Sequence, residues 1–112
     1  MPQTFTKKVL SASTNGRPIA VTATATAGTA LHTGTAAKFH QVLLAMSNLD
    51  SSDVEVTLEI GGTATGDKQL HTIPPKRTIE IPAILIYGAQ SIAAFASSAN
   101  KINVTGEVNE IA

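Results

Sequence analysis

The residues able to do chemistry in this 112-residue chain are few and widely spaced. Three histidines come first, His32, His40 and His71, because imidazole serves both as a metal ligand and as a general base. None stands two or four positions from another, and none has an acidic residue within two positions. Separate strands could still bring them together at a metal, but exposed or hydrogen-bonded side chains are the favoured reading. Gly61-Gly62-Thr63-Ala64-Thr65-Gly66-Asp67-Lys68 has the glycine spacing of a phosphate loop, yet Asp67 occupies the lysine position and would repel phosphate. That stretch reads as a hairpin connection. Asp50 and Asp53 lack the denser acidic pattern and closing glutamate of a calcium loop. Glu55 and Glu59 share one strand face but stand about 13 Å apart by strand rise, too far for a carboxylate pair.

The remaining chemistry is thinner still. No Gly-x-Ser-x-Gly elbow occurs, and no serine has a base nearby in sequence. Lys76-Arg77 is a two-residue basic spot beside Pro74-Pro75, the composition of a solvated turn. With no cysteine, disulfides, thiol catalysis and thiolate metal sites are excluded. One tyrosine and no tryptophan leave little for an aromatic platform. The sequence assigns no catalytic residue, no cofactor and no metal ligand, and the chain reads as non-enzymatic.

Composition narrows the partners. Eight Lys and Arg balance eight Asp and Glu, for a net charge of zero and a pI near 6.8, with no basic block to hold nucleic acid. The most apolar windows, Val42 to Met46 and Ile81 to Tyr87, are too short to span a bilayer, so no membrane partner is expected. Ser11-Ala12-Ser13-Thr14-Asn15-Gly16 interrupts the N-terminal residues before any signal-peptide core develops, and a cytoplasmic origin is expected. Charged residues make up only 14%, against roughly 25% in ordinary soluble domains. Ala and Thr, 17 and 15 residues, fill the difference, concentrated in 21–37 and 92–99. A surface poor in charge and rich in small residues suits a protein that lies against something.

The elements that must hold these residues are strands. Val54, Val56, Leu58 and Ile60 alternate with Glu55, Thr57 and Glu59, the pattern of a half-buried antiparallel strand whose acidic side faces solvent. Ile102, Val104 and Val108 oppose Asn103, Thr105 and Glu107 in the same way. Asn15-Gly16 marks a tight turn, since both residues tolerate positive φ. Strands are expected near 5–11, 19–26, 29–33, 38–48, 54–60, 68–73, 78–81, 85–87, 91–96 and 101–111, with Pro82 separating two of them. Turn clusters between them favour one all-β domain, an antiparallel β-sandwich of jelly-roll or immunoglobulin-like type. Residues 19–112 form that sandwich, and residues 1–18 read as an N-terminal arm or an edge strand.

Over about 80 residues, His32 to Ile111, the chain has a recognisable succession of strand ends and turns. His40 to Asn48 is a strand ending in Asn. Val54 to Ile60 runs into Gly61-Gly62, and Ile73-Pro74 makes a turn. The chain finishes with Ala94-Phe95-Ala96-Ser97, then Asn100-Lys101-Ile102-Asn103-Val104-Thr105-Gly106-Glu107-Val108. This succession resembles the small β-sandwich structural proteins of tailed bacteriophage virions. The resemblance implies a capsid decoration, or cement, protein on the outer surface of the head. Its partners would be the major capsid protein and further copies of itself, as a homodimer or homotrimer, with assembly in the host cytoplasm. A neck, tail or fibre component of the same particle is the nearest alternative, and a sugar- or calcium-binding β-sandwich module is a third. The Thr/Ala alternation of Thr22, Ala23, Thr24, Ala25 and Thr26 is the first candidate for subunit or capsid contact, because small side chains permit close approach. Phe5 and Lys7, in the segment least covered by the resemblance, join it.

Overall fold

The computed structural model describes residues 4–112. Met1 to Gln3, at the start of the 1–18 segment, lie outside the described residues. Nine strands follow in order: β1 Phe5–Val9, β2 Ile19–Ala20, β3 Thr29–Thr33, β4 Phe39–Asn48, β5 Val54–Ile60, β6 Lys68–Ile73, β7 Thr78–Tyr87, β8 Ser91–Ala96 and β9 Ile102–Ile111. The front sheet has the order β1-β9-β4-β7, with β2 also paired to β9, and the back sheet has the order β3-β8-β5-β6. Every pairing is antiparallel. β1 and β2 run in one direction along β9, so they share one strand position. Counted so, eight positions form two four-stranded sheets with the strand order of a jelly roll, which decides between the two sandwich types expected from sequence.

Between the sheets lies one core. β4 contributes Val42, Leu44 and Met46, β5 Val54, Val56 and Leu58, β8 Ile92, Ala94 and Ala96, and β9 Ile102, Val104 and Val108. Each fully buried aliphatic side chain stabilises the fold by about 1.5–3 kcal/mol relative to exposure. Leu10 leaves β1 and enters this core, where Gly106 leaves it room: a Cβ there would stand 3.2 Å from Leu10 Cδ1 and 2.4 Å from the Leu43 carbonyl oxygen. After Leu10 the chain crosses to the back sheet, with Ala12 N–H donating to Leu31 O and Thr33 N–H to Ser11 Oγ. The Asn15-Gly16 turn forms as expected, at φ 53° and 85°.

Three expectations are corrected. The strand expected over 19–26 stops at Ala20. Thr22 and Ala23 N–H groups both donate to Thr29 Oγ1, which closes a compact loop instead of a ladder. Secondly, Pro82 does not split β7. It sits on the outer edge of the front sheet, where its missing N–H costs no ladder bond, and Pro82 and Ala83 together stand opposite Leu43 as a bulge. Thirdly, Glu59 does not face solvent: its side chain accepts hydrogen bonds from Thr26 Oγ1 and Gly28 N–H, both at 2.7 Å, and the 22–28 loop covers it.

Candidate interaction face

Alternation along the front sheet sends His40, Val42, Leu44 and Met46 inward, so Phe39, Gln41 and Leu43 must point outward. Cross-strand register aligns these with outward residues of the neighbouring strands. Phe5, Ile111, Phe39 and Tyr87 form one row across all four strands. Lys7, Asn109, Gln41 and Leu85 form the next, and Val9, Glu107 and Leu43 the third. Five of the seven large hydrophobic side chains left exposed among the described residues are here: Phe5, Val9, Phe39, Leu85 and Tyr87. Scattered exposed apolar residues are ordinary, but five in three adjoining rows make a patch of the kind that marks an interaction site.

The face is organised as well as apolar. The Phe39 and Tyr87 rings stand 4.7 Å apart, tilted by 57°. Lys7 and Glu107 pair at 3.1 Å across β1 and β9, and Asn109 Nδ2 donates to Gln41 Oε1 at 3.2 Å. The two charged residues in the three rows thus satisfy each other. Beyond the third row, small side chains at Ala45 and Thr105 leave a shallow hollow of about 450 Å³ beside Glu80.

Directly behind the aromatic row, on the inner side of the same sheet, lies a buried polar chain. Ser11 N–H donates to His32 Nδ1 at 3.0 Å. A backbone N–H can only donate, so the neutral His32 ring carries its proton on Nε2, which donates to His40 Nδ1 at 2.8 Å. His40 Nε2–H in turn donates to Glu110 Oε2 at 2.8 Å. Lys8 Nζ reaches the same carboxylate at 2.9 Å and Lys38 Nζ at 3.4 Å. Burial, then the neighbouring His40 and Lys8, lower the His32 pKa to about 4. Hydrogen bonds from Lys8 and His40 lead the causes that lower Glu110 to about 2. The chain crosses between the sheets, because His32 belongs to β3 and His40 to β4. All four ring nitrogens are committed within it.

The structure separates the residues chosen from sequence. Phe5 and Lys7 stand on the front face, at its β1 edge. Thr22, Ala23, Thr24, Ala25 and Thr26 lie in the loop against the back sheet, tied to β8 through Ala96 N–H and Ala23 O and to β5 through Glu59. His71 is apart from the other two histidines, its Nε2–H donating to Gln69 Oε1 at 2.7 Å at an exposed edge. Sequence reasoning missed Val9, Phe39, Leu85, Tyr87 and Ile111 as a group. The phase of β4 was signal enough to turn Phe39 outward, but only cross-strand register joins the five. No protein-family model matches the chain, and no curated protein matches it.

Proposed function

We propose that this protein is a non-enzymatic structural component of a tailed-phage particle, a decoration protein that docks on the major capsid protein lattice of the outer head through the front face of its jelly roll. The observation that supports this reading is the unpartnered apolar face of β1-β9-β4-β7, with its aromatic row and internally paired charges. Four strands at about 4.8 Å and ten residues at about 3.3 Å give that face a footprint near 600 Å², the order of one side of a standard interface. Its low charge leaves few ions to desolvate on docking. Contacts of modest strength suffice when several copies of an oligomer bind one lattice. The resemblance of His32 to Ile111 to virion sandwich proteins supplies the particle.

The test is binding of purified protein to empty capsids, with Leu85→Glu on the front face and Ala25→Arg on the 22–28 loop as the two variants. Saturable, stoichiometric binding that falls at least tenfold with Leu85→Glu and persists with Ala25→Arg supports the assignment. The opposite pattern moves the contact to the Thr/Ala loop. No saturable binding by the folded wild-type protein overturns the decoration role. Copy number on the particle separates a decoration protein, abundant as the shell subunit, from a scarce neck, tail or fibre component.

A further inference from the structure

We propose that the buried Ser11–His32–His40–Glu110 chain is an acid-sensitive latch on β1: adding a proton to it releases β1 from β9 and dismantles the front face. The release stands on the geometry alone; its consequence for docking rests on the function proposed above.

The latch follows from the direction of the hydrogen bonds. Each donor in the chain points the same way, from Ser11 N–H to the Glu110 carboxylate, so each ring lone pair is already occupied. A proton on His32 Nδ1 sets an N–H against the Ser11 N–H. A proton on His40 Nδ1 sets one against the His32 Nε2–H. A proton on Glu110 weakens its hold on Lys8, Lys38 and His40 together. Neither ring accepts a proton without breaking a bond.

Two of the contacts that hold β1 in place are among those that break, Ser11 on His32 and Lys8 on Glu110. All five β1 residues are exposed, so the strand gains little from burial and depends on its ladder to β9 and on its anchors. Those anchors are Leu10 in the core, Lys7 on Glu107, Lys8 on Glu110 and Ser11 on His32. Among the described residues, no acid besides Glu110 faces the chain to offset a new positive charge. Lys8 faces the chain from β1 and Lys38 from the 34–38 loop, and both are cationic. In register beside His32 on β8 is Ile92, and beside His40 on β7 is Ile86. An open groove of about 460 Å³ between Lys8, Ser11, His32, Thr35 and His40 gives water and protons a route in. Release of β1 removes Phe5, Lys7 and Val9 from the face and leaves β2 to β9 around their core.

Amide hydrogen exchange of the isolated protein between pH 7.5 and 4.5 tests the latch, with protection factors corrected for intrinsic rates. The expected result is a fall of at least tenfold in β1 protection between pH 7 and 5 while β5 and β9 core amides keep theirs. Loss of β1 and core protection at one common pH overturns it. His32→Gln with His40→Gln keeps amide donors and acceptors without a titratable ring, and should move β1 release at least one pH unit lower; an unchanged midpoint overturns it. Should that double variant fail to fold, the ring C–H resonances of the wild type decide: His32 protonation must coincide with β1 release, and separate midpoints overturn the latch. Retention on capsids at pH 7 and 5 is read separately. Unchanged retention despite an open β1 counts against docking by this face and leaves the latch standing, whereas a protected β1 sinks the latch whatever the particle does.

Discussion

His40 and Glu110 are direct cross-strand neighbours on β4 and β9, and the His40 Nε2–H donates to the Glu110 carboxylate at 2.8 Å inside the sandwich. This pair sits at the end of a chain whose other member, His32, is also a titratable group withdrawn from water. Global stability must therefore depend on pH. The unfolded His32 takes up a proton near 6.5 and the folded one near 4, so the unfolded state holds more protons between those values. Stability is then highest above pH 6.5 and falls as pH drops through this window, by about 2 kcal/mol once discounted for the solvent-open groove beside the ring. Glu110 adds a second loss at lower pH, as its carboxylate is protonated between its ordinary value and about 2. Urea unfolding at pH 7.5 and 4.0 checks the first loss, and His32→Gln should remove most of it.

Glu59 is expected to control the 22–28 loop rather than the fold. Its carboxylate accepts from Thr26 Oγ1 and Gly28 N–H, bonds to a charged acceptor that contribute more than neutral ones. Glu59→Ala should cost about 1–2 kcal/mol and expose Thr24 to Ala27 to limited proteolysis while the core stays cooperative. Glu59→Gln keeps an acceptor and should cleave more slowly than the alanine variant. Equal cleavage of wild type and Glu59→Ala would count against this role.

Asn48 closes the opposite end of β4. Its Nδ2 donates to Ser52 O and Ile73 O, and its Oδ1 accepts from Asp50 N–H. Asn48→Ala should destabilise by about 2–3 kcal/mol, because buried partners are left without bonds. Asn48→Asp should also be destabilising, since an ionised carboxylate cannot donate to the two carbonyls. Chemical denaturation measures both.

The Phe39–Tyr87 contact is expected to be stabilising but minor. A double-mutant cycle with alanine at each position should give a coupling of about 0.5–1 kcal/mol, typical of cross-strand aromatic pairs. Leu85→Glu, beside them and fully outward, should change stability by no more than about 0.5 kcal/mol. A larger loss would mean that Leu85 belongs to the fold and not to a docking surface.

Much of this architecture is written locally. The period-two pattern of β4, β5 and β9 fixes which side chains face inward, because successive Cβ atoms on a strand point to opposite faces. It extends to the polar members of the buried chain: His40 is in phase with Val42, and Glu110 with Ile102, Val104 and Val108. His32 breaks the pattern. A bulge in β3 leaves Leu31 as the extra residue between Ala30 and His32, so two successive residues turn inward, and no alternation in Ala30-Leu31-His32-Thr33 announces it. Glu59 has the opposite history, outward by phase yet buried because a loop from elsewhere in the chain folds over it.

What the sequence determined by itself was the all-β class, the inward set of each long strand and the scarcity of charge. Those are properties of neighbours along the chain. Tertiary structure decided that His32 meets His40 and Glu110, that Thr22–Thr26 is a loop and that Phe5, Phe39 and Tyr87 form one row. Each of these depends on strand order and register between segments separated by tens of residues. Local propensity is blind to such pairings; they follow from the jelly-roll exchange of strands between two sheets around a shared core.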